Sequence, residues 1–313
     1  MAGFSHEAKG QIPDMNYSEH HFSSQDGLSL YYREYGSGGK VIICLPGLTR
    51  NSKDFHDLAS RLASDYRVLC LDFRGRGQSE HDPKWRHYHP GTYARDTWKL
   101  LDELAIEKFI VIGTSLGGLV AMIMSAQQGA RIKAIVMNDI GPEVNPVGIT
   151  RILKNAGVQA EINNWQDAAD RCKFMGGHAV PNMPDEFWQK FARKSYRLNN
   201  NGIPVLDLDP NVGLAVRKGV KPANILAKLR KLGILKRIGG AFIDPWDSFK
   251  TVSMPCLVLR GELSDVLSGD IVKRMLAVKP DMQWAVIPNR GHAPLLDEPE
   301  TVTAIDSFLK NLA

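Results

Sequence analysis

The sequence predicts an α/β protein with a doubly wound, mostly parallel sheet, helices on both faces of that sheet, and an inserted helical cap. Short apolar runs recur along the chain, and they are continuous rather than alternating, which is typical of strands covered on both faces. Segments of helical length and period separate these runs. This alternation of apolar runs and helical segments stops between residues 141 and 243, where the chain becomes helical and irregular.

The predicted core elements follow one another in chain order. Residues 17–35 alternate polar and apolar around Gln25-Asp26-Gly27, which predicts an opening antiparallel hairpin. The predicted strands covered on both faces are Val41–Leu45, Arg67–Leu71, Phe109–Ile112 and Ile132–Met137. Two further strands are predicted later in the chain, Cys256–Arg260 and Gln283–Ile287. The predicted core helices are Ser52–Ala63, Thr92–Leu104, Leu116–Gln128 and a terminal helix over residues 299–312. This alternation is the pattern of helices packed on a parallel sheet.

We expect residues 1–140 and 244–313 to form the core and residues 141–243 to form the helical cap, or lid. The predicted cap helices are Trp165–Phe174, Asp185–Leu198 and Pro222–Leu232. Their aromatic residues are core residues by default, with Trp188 kept as a candidate substrate contact. A basic stretch at 223–237 indicates a solvated helix face, with attraction of anionic substrates or contact with a membrane surface as alternatives.

The composition narrows the class of protein. The chain has 313 residues, 43% of them hydrophobic, and no apolar run approaches the roughly 20 residues that span a bilayer. Its first residues carry no pattern of a signal peptide. A net charge of +5 is too small to indicate nucleic-acid binding, and the four cysteines have no metal or disulfide spacing. We therefore expect a cytoplasmic protein without stable membrane insertion. From the motifs and the resemblance that follow, we expect a small-molecule substrate and no metal or organic cofactor.

The most informative motif is Gly113-Thr114-Ser115-Leu116-Gly117, which lies between a predicted strand and a predicted helix. A G-x-S-x-G in that position is a nucleophile elbow, in which the flanking glycines allow a sharp turn that exposes the serine. A serine becomes a nucleophile when a base takes its proton and a third group orients the base. Ser115 is the predicted nucleophile.

The base and the acid are expected further along the chain, in the order serine, acid, histidine. His292 directly follows the last strand, and Asp265 follows the strand before it, so both should lie at the sheet edge that carries Ser115. We assign His292 as general base and Asp265 as the orienting carboxylate. Glu262 and Asp270 are local rivals of Asp265. Asp139 also follows a strand and is an alternative acid, although we expect it to shape the substrate pocket and open the cap.

An oxyanion needs two backbone N–H donors aimed at it. The amide of Leu116, directly after the nucleophile, is one predicted donor. The other is the amide of Leu48, in the turn Pro46-Gly47-Leu48-Thr49 after the first buried strand. The nearby pair His87 and His89 has no further ligands at metal-binding spacing, and it is not taken as a metal site.

These motifs together resemble those of α/β-hydrolase fold enzymes with a serine nucleophile. The resemblance rests on Leu45–Leu48, Asp72–Ser79, Gly113–Gly117, Gly261–Asp265 and Gly291-His292, and it spans most of the chain outside the cap. One departure is Pro46-Gly47, where most relatives carry His-Gly. The segment Asp72–Ser79 is interpreted as a structural loop beside the site.

The resemblance implies a serine hydrolase that cleaves a small-molecule ester, lactone or thioester through an acyl-enzyme on Ser115, most like a bacterial-type carboxylesterase. A carbon–carbon bond hydrolase of β-diketone-type substrates uses the same triad and stays an alternative. So do a cofactor-free oxygenase or lyase and, in another class, a ligand-binding receptor on the same fold. Oligomeric state is not predicted.

Overall fold

A computed structural model describes residues 16–156, 158, 160–219 and 245–312. Its centre is one eight-stranded sheet with strand order β1-β2-β4-β3-β5-β6-β9-β10. The strands are β1 (Ser18–Ser23), β2 (Ser29–Tyr35), β3 (Lys40–Leu45), β4 (Tyr66–Leu71), β5 (Phe109–Thr114), β6 (Ile132–Asn138), β9 (Cys256–Gly261) and β10 (Gln283–Ile287). β1 and β2 pair antiparallel, as does β2 with β4, and all other pairs are parallel.

Helices connect these strands. The helices before β6 are α1 (His56–Leu62), which continues the 3₁₀ turn Ser52–Phe55, α2 (Pro90–Glu103) and α3 (Leu116–Gln128). Later in the chain come α8 (Pro245–Lys250), α9 (Gly269–Val278) and α10 (Pro299–Lys310). The predicted core strands and helices are all found within a few residues of their expected bounds, while α8 and α9 were not predicted.

The central strands of the sheet are buried on both faces, as the continuous apolar runs predicted. On one face, Ile43 and Val111 pack with residues of α2, α3 and α9. On the other face, Ile42 and Ile112 pack with residues of α1 and α10. Adjacent residues of one strand therefore enter two different cores. This arrangement removes both sides of β3 and β5 from water, which leaves the strand ends as the place where polar chemistry can be exposed.

Residues 145–219 follow β6 in the chain and are here called the inserted segment. It contains α4 (Pro146–Asn155), α5 (Trp165–Gly176), α6 (Asp185–Ser195), a two-stranded hairpin of β7 (Tyr196–Leu198) and β8 (Pro204–Leu206), and α7 (Pro210–Gly219). α5 and α6 share a small apolar cluster of their own that includes Cys172 and Trp188. The predicted helix Pro222–Leu232 and the basic stretch at 223–237 lie outside the described residues.

Two features of the inserted segment differ from the prediction. The helix predicted to run to Leu198 ends at Ser195, because Tyr196–Leu198 pairs with Pro204–Leu206 across a turn. Asn199 closes that turn by accepting from the amides of Asn201 and Ile203. In addition, α4 and α7 form where the sequence predicted irregular chain. Both begin at a proline, a residue that favours the first turn of a helix.

The four cysteines are buried and unpaired. Cys44 and Cys70 lie opposite one another on the paired strands β3 and β4, in the register of the parallel ladder. Burial raises the pKa of the Cys256 thiol to about 12. Among the described residues, every helix is too short or too polar to cross a bilayer.

Candidate active site

Ser115 lies at a sharp turn between β5 and α3, with a backbone φ of +52°. Few non-glycine residues adopt this conformation, and the turn depends on the glycines around it. A Cβ on Gly113 would meet the backbone of Gly117, and a Cβ on Gly117 would meet the carbonyl oxygen of Leu45. The Ser115 amide donates to the carbonyl oxygen of Asn138, 2.9 Å away. The serine is therefore held at the carboxyl end of β5, as the motif predicted.

His292 reaches Ser115 from the loop after β10. Its Nε2 lies 2.8 Å from the Ser115 Oγ. The side chain is only 9% exposed. Two contacts hold the loop: the side-chain amide of Asn138 donates to the carbonyl oxygen of Pro294, and the Gly291 amide donates to the carbonyl oxygen of Ala179 in the inserted segment. Asn138 thus fixes the serine turn and the histidine loop together.

The carboxylate that contacts His292 is Asp139, and not Asp265 as predicted. Asp139 Oδ2 lies 2.8 Å from His292 Nδ1. The same oxygen accepts from the Ser264 hydroxyl at 2.6 Å, and Oδ1 accepts from the Gly261 amide at 2.8 Å. Asp139 is fully buried and adopts a φ of +55°, which turns it out of the line of β6. Asp139, also named as a candidate substrate contact, thus has both carboxylate oxygens bonded to protein groups.

Asp265 is engaged elsewhere. Its two carboxylate oxygens accept from Nε and Nη2 of Arg151 on α4, both at 2.7 Å. The hydrogen bonds from Arg151 hold the pKa of Asp265 below its ordinary value. The pair is partly solvent-exposed, with 28% of the arginine side chain and 26% of the aspartate side chain accessible. Arg151 therefore binds the carboxylate that the sequence analysis assigns to His292. The helix that carries Arg151 was not predicted.

The predicted oxyanion donors lie on either side of the serine turn. Leu116 is the first residue of α3, and the N–H groups of a first helical turn have no partner within the helix. Leu48 is in the loop after β3. Its carbonyl oxygen accepts from Nε and Nη2 of Arg76, at 3.0 and 2.9 Å. These two bonds fix the backbone of the residue whose amide is the second predicted donor.

Arg76 belongs to the segment that the sequence indicated as a structural loop, and its contact with Leu48 was not predicted. Its side chain is fully buried. Besides Leu48, it donates to the carbonyl oxygen of Arg74 and to the Tyr93 hydroxyl. No carboxylate of the described residues forms an ion pair with Arg76. Only the fold could reveal this role, because the motif by itself does not say which loop the arginine faces.

A neighbouring acidic cluster is already occupied by an arginine. Asp26, Asp82 and His87 place potential ligand atoms within 4.8 Å of one another. However, Nη1 of Arg74 donates to both carboxylates, at 2.9 and 2.6 Å. His89, the other histidine of the sequence pair, caps α2 by accepting from the Gly91 amide. The guanidinium fills the position between the carboxylates, so this cluster is an ionic network of the loop.

Trp188 is a buried residue of the inserted segment. It is 2% exposed and packs edge-on against Phe187 and Phe191 in the apolar cluster of the inserted segment. This candidate substrate contact therefore packs within a cluster, as its helical spacing would indicate. Phe191 instead contacts the core, because the Arg50 guanidinium stacks on its ring at 4.1 Å. Arg50 also donates to Ser195, so the loop after Leu48 and the end of α6 are joined.

A mostly parallel sheet with a serine elbow at its carboxyl edge and a histidine after its last strand defines a class of α/β folds. Residues 40–299 match the family described as the α/β hydrolase fold, and the chain belongs to that family. A crystal structure of an α/β hydrolase from Novosphingobium aromaticivorans is 38% identical and superposes with a TM-score of 0.81, covering 94% of this chain and 98% of that one.

Two curated relatives match along most of their length. A 3-hydroxybutyrate-oligomer hydrolase of Cupriavidus necator is 29% identical over 282 residues, covering 88% of this chain and 91% of that protein. A 2-(acetamidomethylene)succinate hydrolase of Mesorhizobium japonicum is 25% identical over 283 residues, covering 90% and 92%. A putative hydrolase from Rickettsia typhi shares the fold with a TM-score of 0.80 at 23% identity.

Proposed function

We propose that this protein is a serine hydrolase that cleaves a small-molecule ester through an acyl-enzyme on Ser115. The observation that carries the proposal is the continuous chain of contacts from the Ser115 hydroxyl to His292 and on to Asp139. Each bond is of normal length, and the serine stands at the turn that a nucleophile elbow requires. Family membership supports the same reaction class.

In the proposed reaction, His292 Nε2 accepts the hydroxyl proton as the Ser115 oxygen attacks the acyl carbonyl. The histidine then donates that proton to the leaving oxygen, and the alcohol departs. Water, deprotonated by the same nitrogen, attacks the acyl-enzyme and releases the acid. Asp139 accepts from Nδ1 throughout, which fixes the tautomer that leaves Nε2 free and stabilises the imidazolium.

The negative charge on the substrate oxygen would be stabilised by the amides of Leu116 and Leu48. The first benefits from the positive end of the α3 dipole. The second is held by the two hydrogen bonds from Arg76 to the Leu48 carbonyl oxygen. Because these donors are fixed before substrate arrives, they need no reorganisation in the transition state.

We propose that the inserted segment is the cap over this site. Its Ala179 contacts the histidine loop, its Ser195 and Phe191 contact Arg50, and its Arg151 binds Asp265. The first curated relative hydrolyses 3-hydroxybutyrate oligomers, and oligomers of a hydroxy acid are joined by ester bonds. This supports an ester substrate here. Four buried, unpaired thiols support a cytoplasmic location.

The first experiment is labelling with a fluorophosphonate probe followed by peptide mass spectrometry, with turnover of p-nitrophenyl esters of increasing acyl length in parallel. We expect labelling at Ser115 and measurable ester hydrolysis. Ser115→Ala should abolish both while keeping the fold by circular dichroism. Labelling without ester turnover would favour a carbon–carbon hydrolase or a receptor. Absence of labelling in folded protein would contradict the proposal.

A further inference from the structure

Arg151 forms an ion pair with Asp265 and has no role in the reaction described above. Arg151 projects from α4 to Asp265, and the two side chains are each about a quarter exposed. Asp265 follows Ser264, whose hydroxyl donates to the carboxylate of Asp139. Because Asp265 is the chain neighbour of Ser264, and Asp139 also contacts His292 Nδ1, the Arg151–Asp265 pair lies near the histidine.

The guanidinium of Arg151 retains a free donor. Asp265 engages Nε and Nη2. Nη1 has no hydrogen-bond partner among the residues that the structure describes, and it is not among their buried unsatisfied atoms. An arginine has five N–H donors in a rigid planar fork, so a second carboxylate can bind beside the first.

The surroundings of Arg151 carry further positive charge. One turn along α4, exposed Lys154 shares with Arg151 the wall of an open cavity of about 580 Å³. His178 directly precedes Ala179, whose carbonyl oxygen accepts from the Gly291 amide beside His292. Burial, and next the charge of Arg151, lower the pKa of His178. Asp265 is the acidic side chain that bonds Arg151 here, and it offsets one of the two fixed positive charges.

We infer that Arg151 binds a carboxylate of the substrate, so that the ester cleaved at Ser115 belongs to a molecule with a free carboxyl group. In the unliganded protein Asp265 holds the guanidinium through two of its nitrogens. The substrate carboxylate then accepts hydrogen bonds from the free Nη1 of Arg151, and the charge of Lys154 attracts the anionic substrate from a longer distance. This inference rests on the proposed function and names its substrate class.

The charge arrangement predicts opposite effects for the two partners of the pair. Arg151→Gln removes the cation and should weaken binding of an anionic substrate. Asp265→Asn keeps an oxygen acceptor for the guanidinium but removes the negative charge that repels a second carboxylate, so it should strengthen binding of the same substrate. A pair that only attaches α4 to the core would respond differently, because losing either partner would break the same ion pair and both variants would change activity in the same direction.

The test compares two substrates that differ only in this charge: the linear dimer of 3-hydroxybutyrate, and the same dimer with its terminal carboxylate converted to a carboxamide. The quantity measured is the ratio of kcat/KM for the anionic over the neutral compound. Arg151→Gln should lower that ratio on the order of tenfold or more, the loss typical of a hydrogen bond to a charged group. Asp265→Asn should raise the ratio through a lower KM for the anion.

Lys108→Gln is the matched control for the loss of one positive charge, because Lys108 is exposed just before β5, at the opposite end of that strand from Ser115. It should leave the ratio unchanged. If Arg151→Gln lowers turnover of both substrates equally, or leaves the ratio unchanged, the inference is wrong while the proposed function stands. If neither compound is hydrolysed, protection of Ser115 from the fluorophosphonate by the two compounds gives the same comparison. Failure of labelling altogether overturns the proposed function and this inference with it.

Discussion

Two aspartates at the ends of neighbouring parallel strands have opposite surroundings. Asp139 follows β6, is fully buried, and accepts hydrogen bonds from a backbone amide, a serine hydroxyl and His292. Asp265 follows β9 and forms a partly exposed ion pair with Arg151. Both positions satisfy the rule that polar chemistry sits at strand ends. The difference shows that a position after a strand brings a carboxylate near the site. The groups that bond the carboxylate then determine whether it can orient His292.

The largest expected effect separates these two carboxylates directly. Asp139→Asn should lower kcat by about 10⁴-fold, because an amide opposite Nδ1 favours the wrong histidine tautomer and cannot stabilise the imidazolium. Asp265→Asn should change kcat on a neutral ester by less than about tenfold, since exposed ion pairs contribute little. Steady-state kinetics on p-nitrophenyl acetate measures both. A larger loss in Asp265→Asn than in Asp139→Asn would reverse the assignment.

The same contrast between buried and exposed groups applies to the two arginines. Arg76→Gln should lower kcat about tenfold to a hundredfold, because the Leu48 backbone loses its two hydrogen bonds from Arg76. This loss is no larger than the loss expected when an oxyanion donor itself is removed. Arg151→Gln should leave kcat on the same neutral ester unchanged. The informative measurement is the affinity of a boronic acid, which mimics the tetrahedral intermediate, relative to the KM of the ester. An unchanged ratio in folded Arg76→Gln would show that the arginine only supports the loop's stability.

A smaller effect tests whether the contacts of Asp139 matter beyond its charge. Ser264→Ala removes the 2.6 Å bond to Oδ2 and should lower kcat by about tenfold with little change in KM, as expected for a hydrogen bond to a charged group. Ser268→Ala is the control, because Ser268 caps α9 without touching Asp139. It should alter stability and not kcat. Equal kinetic losses in the two variants would assign Ser264 a purely structural role.

The smallest effect concerns stability and pH. The pKa of Asp265 is lowered in the folded protein, so this group stabilises the fold at pH above the ordinary aspartate pKa of about 3.9, and the contribution is lost as pH falls through the folded pKa. Asp265→Asn should therefore be less stable than wild type at neutral pH and approach it in acid. Urea unfolding at pH 7 and pH 3 measures the difference. A gap that widens in acid would contradict the sign.

Much of the fold and part of the candidate site could be predicted from the sequence. The apolar runs become buried strands, and the elbow of Ser115, the loop of Leu48 and the position of His292 follow from motifs tied to strand ends. The choice of acid could not be predicted, because β6 and β9 are paired neighbours and each is followed by an aspartate, Asp139 after β6 and Asp265 after β9. The carboxylate of Asp265 is bound by Arg151 instead of His292, and Arg151 lies on α4, where no helix was predicted.

The sequence alone therefore determined the layered core and the serine turn, because buried strands need continuous apolar runs and a sharp turn needs its glycines. Tertiary structure decided which carboxylate contacts His292 and which arginine holds Leu48. Those partners are separated by 153 residues in one case and 28 in the other. Hydrogen bonds between such distant side chains and backbone groups depend on how elements pack and on single backbone angles such as that of Asp139, and no local pattern of residues specifies them.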